Sequence, residues 1–510
     1  MLQRRDKSSL QIAINNKHKI MASLKSLAKD TAIYGMSSII GRFLNYLLVP
    51  LYTAKLTVES GGYGIITNIY SYVALLLVIL TYGMETAFFR FANKQDENPE
   101  RVYSSILISV GSTSVLFIIL ILMFLSPVAG FMGYAEHPEY VGVMAVCVAI
   151  DAFQTIPFAY LRYKKRPIKF AALKLLFIIM NIMLNLVYFV LLPQLYKTYP
   201  DIIGHIYNPA TGVGYAFFIN LFCTASITFF FKKELTGFKY VFDWSLMKRI
   251  LSYSWPILIL GITGILNQTA DKILFPFVYS GNDAQSQLGI YGAASKIAMI
   301  MAVITQAFRY AYEPFVFGKS RDKDNKETQA QAMKFFFIFT LLAFLSVVAY
   351  IDIIKYIIAP GYWPGLNVVP IVMAAEIMMG IYFNLSFWYK LTDRTIWGAI
   401  FSGIGCAVLI AINVIFVPRY GYMACAWAGF AGYGTAMLLS YFVGRKYYPV
   451  AYPLKRMALY LLLACAIFAI YQYMPAFNIY ASIALRTVLL VVFLGAVIKF
   501  EHFRIPKLRH

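Results

Sequence analysis

Apolar runs of about 20 to 25 residues, separated by short polar or basic stretches, follow one another almost from end to end of the chain. A helix rises about 1.5 Å per residue, so roughly 20 residues cross the hydrocarbon core of a bilayer. No backbone group can go unpaired in lipid, and such runs are therefore helices. The runs lie at 31–52, 64–89, 103–125, 139–160, 169–193, 212–231, 250–279, 288–312, 332–352, 365–388, 395–417, 421–443, 455–474 and 478–500. The pattern predicts an all-α polytopic membrane protein of about 14 transmembrane helices.

Loop charge supports that count. Taking alternate sides of the membrane, one side holds the N-terminal tail and the loops 90–101, 162–169, 232–249, 319–334, 390–394 and 445–456, then the tail from Lys499. About 35 of the 45 Lys and Arg residues fall there, and the other side has only Lys55, Lys197, Lys355 and Arg419. A missed span would destroy this asymmetry. By the positive-inside rule, both termini are expected in the cytoplasm.

Composition adds exclusions. The chain is 60% hydrophobic and 13% charged, with a mean hydropathy of +0.67. A soluble chain carries about 25% charged residues. The formal charge of +22 belongs to the loops, so no nucleic-acid partner is expected. Cys147, Cys223, Cys406, Cys425 and Cys465 all fall in apolar runs without a CxxC pair, which indicates neither a disulfide framework nor a zinc site. The five His residues are scattered, no Ser/His/Asp set appears, and no loop exceeds about twenty residues. An enzyme is not expected. The first 30 residues are basic and lack an apolar core, so no cleaved signal peptide is read, and Met21 is an alternative start.

The chain also repeats. Gly64 to Lys94 parallels Gly289 to Lys319 at an ungapped offset of 225 residues, and Tyr163-Lys164 parallels Tyr389-Lys390 at 226. Two six-helix lobes, 31–231 and 250–443, are thus expected, joined by a cytoplasmic linker at 232–249. Six spans per copy give both the same orientation, as in carriers built from parallel repeats. Two additional helices fill 455–500, and the segments 1–30 and 501–510 are cytoplasmic ends.

Cations inside apolar runs are the candidate chemistry. A charge at the centre of a span costs roughly 2.5–3.5 kcal/mol on insertion scales. Arg42 shares a polar stripe with Tyr34, Ser38 and Asn45 in the first run; Asn267, Gln268, Asp271 and Lys272 cluster in the seventh; Lys296 and Arg309 lie in the eighth. At the 225 offset Arg42 matches Asn267 and Lys272 matches Leu47, so these residues do not follow the repeat. The four cations would cost on the order of 10 kcal/mol in lipid, which favours a water-filled, cation-lined cleft. Each also has a plainer reading: Arg309 snorkels to the interface, and Lys272 is neutralised by Asp271, although adjacent helical residues point about 100° apart.

The acids do recur. Asp151 in the fourth span and Glu376 in the tenth match at the same offset. They either bind H+ or Na+ as coupling ions or pin neighbouring helices. Glu85, beside Arg90, reads as an interfacial ion pair or part of a gate. Lys174 either pairs with Asp151 or marks a second polar lining.

The segments MASLKSLAKDTAIYGMSSIIGRFLNYLLVPLYT and GGYGIITNIYSYVALLLVILTYGMETAFFR, with the repeat and the 12-plus-2 helix count, resemble the polysaccharide transporter family. These are O-antigen-type flippases of the multidrug/oligosaccharidyl-lipid/polysaccharide superfamily. The resemblance implies a V-shaped alternating-access carrier of the bacterial inner membrane, without a cofactor, its cavity lined by spans 1, 2, 7 and 8. Its cargo would be an oligosaccharide joined through pyrophosphate to a polyprenyl lipid. Membrane lipids, and the polymerase and chain-length machinery of the same pathway, would be its partners. Arg42, Lys272, Lys296 and Arg309 would face the diphosphate, and Tyr34, Asn45, Asn68, Asn267 and Gln268 the sugars. Lipid II flippases, the first alternative, carry an Arg-Asp pair in the first span, where this chain has Arg42-Phe43. Cation-coupled multidrug exporters, the second, usually have twelve spans and an acidic site.

Overall fold

A computed structural model describes residues 46–318, 325–473 and 478–501. Among them the structure is helical throughout, with no strand. The first half supplies α1 (Leu48–Lys55), α2 (Gly62–Thr81), α3 (Met84–Ala92), α4 (Pro99–Met123), α5 (Pro138–Tyr163), α6 (Pro167–Leu186) and α7 (Gly214–Phe229). The second supplies α8 (Trp244–Val278), α9 (Ala284–Ala298), α10 (Ile300–Gly318), α11 (Asn325–Ala349), α12 (Val369–Leu385), α13 (Ile396–Tyr420) and α14 (Tyr422–Tyr447). α15 (Leu454–Tyr473) and α16 (Ile479–Glu501) complete the chain.

Every expected span from the second onward falls on one of these helices or on a consecutive pair of them, while most of the first lies outside the described residues. Among the described residues ten helices are long and apolar enough to cross a membrane, or eleven if the pair α9 and α10, bent by 41°, is one span. The two expected spans outside that set differ for physical reasons. α7 has only 16 residues. α14 is rich in Gly and Tyr and lies packed on α8, α12 and α13, so less of it needs to face lipid.

Local chemistry sets the boundaries. Asn98 caps α4 by accepting from the amides of Glu100 (2.9 Å) and Arg101 (3.4 Å), with Pro99 in the first turn. Asp243 caps α8 in the same way through Ser245 (2.9 Å) and Leu246 (3.1 Å). Tyr82 and Gly83 take positive φ angles of 31° and 74°, which bends the single span Gly62–Ala92 into α2 and α3.

The halves meet along α2, which packs on both α8 and α9. At the end poor in Lys and Arg, Gly64 and Gly289, matched by the repeat offset, are in contact. A Cβ on Gly64 would lie 1.8 Å from the Gln285 carbonyl oxygen and 3.0 Å from the Gly289 nitrogen. One on Gly292 would lie 2.4 Å from Thr67 Oγ1. Only glycine permits this approach. The more extensive contacts of α10 are with α9, α11 and α12, so the eighth span leaves α2 as it runs toward the basic end.

At the basic end charges tie α8 to the first half: Arg101 to Asp243 (2.6 Å), Arg249 to Glu97 (2.6 Å), and the Arg90 guanidinium 4.2 Å from the Tyr253 ring centre. The linker 232–249 is also docked. Glu234 is buried and receives Lys169 (2.6 Å) and Arg166 (3.7 Å), while Tyr103 donates to its carbonyl (3.0 Å). α15 and α16 pack on α11, held by Lys334 with Glu501 and by Arg486 with Asp352 (2.8 Å).

Candidate functional site

Near its end α8 carries the densest group of charges brought together from the expected set. Lys272 Nζ donates to both Asp271 carboxylate oxygens and to the Gln268 carbonyl, each at 3.0 Å. Tyr291 on α9 donates to Asp271 Oδ2 at 2.6 Å, and its ring centre lies 5.3 Å from the Lys272 ammonium. Although adjacent residues diverge around a helix, the four-carbon lysine stem folds back far enough to pair. Lys272 is thereby neutralised by its neighbour, the plainer of the two readings of its charge.

Lys296 and Glu376 are each within electrostatic range of Lys272. Both are half-buried, and among the described residues neither makes a hydrogen bond or an ion pair. Tyr433, which donates to the Asn267 carbonyl at 2.9 Å, is within electrostatic range of both Glu376 and Asp271. The Lys272–Asp271 pair on α8 thus has Lys296 of α9 and Glu376 of α12 within electrostatic range, four charged groups in all. With all four ionised, their net charge is zero.

The other candidates separate from this cluster. Asn267 is buried, and its amide is committed to the Thr263 carbonyl (2.9 Å) and to Ser402 on α13 (3.0 Å), so it pins α8 to α13. Gln268 has an exposed side chain next to Lys272. Arg309 lies toward the basic end, 5.0 Å from the Phe383 ring centre. Arg42 and Asn45, like Tyr34 and Ser38, lie outside the described residues.

In the first half, Asp151 accepts from Thr224 Oγ1 at 3.2 Å, with Cys147 Sγ at 4.0 Å. Lys174 is within electrostatic range of it, its ammonium 4.0 Å from the Phe158 ring centre. Glu85 pairs with Arg162 on α5, not with nearby Arg90, whose partner is Tyr253. Among the described residues no three His, Cys, Asp or Glu side chains group as metal ligands.

Sequence reasoning did not find Tyr291, Tyr134 or Gln285. Asn68, expected to face sugar, is 1% exposed and spans the halves instead: its amide donates to the Lys272 carbonyl at 2.7 Å, and its oxygen accepts from Tyr134 at 2.7 Å. Gln285 Nε2 lies 3.4 Å from the Tyr134 hydroxyl. One signal was available. Pro276 follows Lys272 by four residues and has no N–H to give its carbonyl.

A family model described as polysaccharide biosynthesis protein matches residues 27–311, which include α2, α8, α9 and the seam between them. The chain belongs to this polysaccharide biosynthesis protein family. Among curated proteins nothing matches it. Among solved structures, the lipid II flippase MurJ in an inward closed conformation is 16% identical, with 91% of this chain and 98% of that chain covered and a TM-score of 0.69. An inward-facing multidrug resistance MATE family transporter of the MOP superfamily is 15% identical, with 79% and 94% covered and a TM-score of 0.63. A MATE protein in the straight conformation is 16% identical, with 83% and 95% covered and a TM-score of 0.57. At these identities the likeness establishes the fold. This polysaccharide biosynthesis family member is a multi-pass helical membrane protein with the architecture of MOP-superfamily transporters.

Proposed function

We propose that the protein is a flippase. It carries oligosaccharide units, linked through pyrophosphate to a polyprenyl lipid, from the cytoplasmic to the outer leaflet for surface polysaccharide assembly. The lobes 31–231 and 250–443 alternate access to a cleft between them, with the basic end cytoplasmic. The observation that carries the reading is Lys296: a half-buried cation without a protein counter-ion among the described residues, beside Lys272, in a polysaccharide biosynthesis family member. A diphosphate offers Lys296 the direct charge-assisted hydrogen bonds that no described residue makes to it, and these are worth most where water is scarce. Asp271 keeps Lys272 neutralised while the cleft is empty. Moving a negative headgroup outward from a negative-inside cell is further helped by about 2.3 kcal/mol per charge per 100 mV.

Coupling to H+ or Na+ falls to Glu376, which is free to change its charge without breaking a protein ion pair among the described residues. The same unpaired acid supports a second reading, a cation-coupled exporter, since an organic cation seeks a carboxylate. The experiment that separates them uses cells lacking the protein, complemented with wild type, Lys296→Ala or Arg42→Ala/Lys296→Ala at matched membrane expression. Lipid-linked sugar intermediates accumulating in the cytoplasmic leaflet with the variants, and cleared by wild type, are expected of the flippase. Normal surface glycan in the deletion strain with altered sensitivity to cationic drugs would establish the exporter instead.

A further inference from the structure

In an α-helix the carbonyl of residue i accepts from the N–H of residue i+4. Pro276 has no N–H, so the Lys272 carbonyl loses its helical donor inside α8. A buried carbonyl left bare is costly, and such groups find another partner. Here the partner comes from the other half of the molecule: Asn68 Nδ2 on α2, at 2.7 Å. Asn68 is itself fixed by the Tyr134 hydroxyl, and Tyr134 lies against Gln285 of the second half. The bond therefore crosses the seam, at the same end as the Gly64–Gly289 contact.

We propose that Asn68 is a positioning residue that acts through Lys272, latching the outer end of the transporter to the backbone of its cargo-binding lysine. The latch rests on the flippase reading for its link to cargo, and on the geometry alone for its effect on closure. While the outer end is shut, Asn68 completes the Lys272 carbonyl and holds that turn of α8 in place, with the ammonium on Asp271 and the Gln268 carbonyl. When the halves part, the carbonyl loses its donor. The turn bearing Lys272 loosens as the cleft opens outward, so the grip on the headgroup changes with the gate. A polar side chain that only filled the seam would bear no relation to a proline on the opposite helix. This one meets the carbonyl that the proline frees.

The link between Asn68 and Pro276 is what the test addresses. Ser71, buried about one turn further along α2 from Asn68, serves as a reporter when changed to Cys in a Cys465→Ser background. The remaining cysteines, Cys147, Cys223, Cys406 and Cys425, are buried. Labelling of Ser71→Cys by a membrane-impermeant maleimide in intact cells reads opening of the outer end without reference to cargo. Asn68→Ala is expected to raise the labelling rate by about five-fold or more, the scale of one lost buried hydrogen bond. Pro276→Ala returns an N–H to the Lys272 carbonyl, so Asn68→Ala added to it is expected to raise labelling by less than about two-fold. Asn68→Ala effects of equal size with Pro276 intact and in the Pro276→Ala background would overturn the proposal, as would Asn68→Ala labelling equal to wild type. The leaflet distribution of lipid-linked sugar, measured in the same strains, tests the flippase reading separately. If Asn68 and Pro276 are coupled in labelling and the deletion strain distributes its intermediates normally, the latch stands and the flippase reading falls.

Discussion

Asp151 and Glu376 are matched by the repeat, sit on the fourth and tenth spans, and are both half-buried, yet their surroundings differ. Asp151 accepts a hydrogen bond from Thr224, with Lys174 in range. Glu376 makes no hydrogen bond among the described residues, and the charge it faces, Lys272, is already held by Asp271. Among the described residues Lys296 likewise makes no hydrogen bond or ion pair. Uncompensated ions in low-polarity surroundings are costly. Among the described residues the acid of the first half is held by Thr224, whereas the second half leaves a cation and an acid without a hydrogen bond or ion pair. Under the flippase reading the second half does the binding, and the acid of the first half pins helices.

The largest effect that would test this contrast is at Lys272. Lys272→Ala leaves Asp271 buried with Tyr291 as its one hydrogen-bond partner among the described residues, and breaking such a pair costs about 3–5 kcal/mol. The variant is expected to lose most of its thermal stability in detergent along with export. Neutralising both partners, Asp271→Asn with Lys272→Ala, should restore most of the melting temperature without restoring export. Lys174→Ala in the first half should move the melting temperature far less, because Lys174 lies over an aromatic ring and outside any ion pair among the described residues. Equal losses at Lys174 and Lys272 would erase the difference between the halves.

Lys296 should behave in the opposite way. Removing a cation that has no protein partner among the described residues relieves desolvation, so Lys296→Ala is expected to leave stability unchanged or raised. Export should fall by about ten-fold or more, on the scale of 1.5–3 kcal/mol for a charged hydrogen bond. Lys296→Arg should retain part of the activity, since a guanidinium also binds phosphate. A melting temperature that drops as far as that of Lys272→Ala would mean that the protein itself uses this charge.

The acids give a smaller and sharper pair. Glu376→Gln is expected to fold normally and to change the pH or Na+ dependence of export by a few-fold. Asp151→Asn should weaken the contact to Thr224, by about 0.5–1.5 kcal/mol, and leave ion dependence alone. Neutral substitutions at both sites with transport and ion dependence unchanged would remove the coupling role.

Hydropathy is a local property, which is why the spans were legible residue by residue while their partners were not. The run at 288–312 forms two helices bent by 41°, and nothing in its composition announced the bend. Glu85 lies beside Arg90 along the chain and reads as an interfacial ion pair or part of a gate, but packing brings Arg162 of α5 to it. Asp271 and Lys272 looked divergent because helical geometry fixes the Cβ directions and says nothing about a lysine stem of four carbons. Arg486 sits in the last span, and its partner, Asp352 on another segment at 2.8 Å, has no signature in the sequence. The Lys272 carbonyl could have been deduced as bare from Pro276. That Asn68 would fill it depends on two helices meeting across the seam, and a single sequence does not encode that distance in readable form.

The smallest expected effect lies at the basic end, where Arg101 and Asp243 approach to 2.6 Å, closer than Lys272 and Asp271. Distance alone would rank this pair as the stronger one. Arg101 is half exposed, however, and water and salt screen such a pair until little of its attraction remains. The Leu246 backbone N–H, the Ser245 hydroxyl and then the Arg101 charge hold the Asp243 carboxyl below its ordinary range. A depressed carboxylate contributes stability that is complete above its unfolded value and is lost as pH falls through the lower, folded one. The docking of α8 on α4 through this pair should therefore be constant across neutral pH and weaken only in acid below the usual carboxylate range. Arg101→Ala is expected to leave export at neutral pH within about two-fold of wild type, and raised salt should narrow even that difference. A loss comparable to that of Lys272→Ala would show that the basic end works as a gate, and the contrast between a working half and a pinned half would give way to one between the two ends of α8.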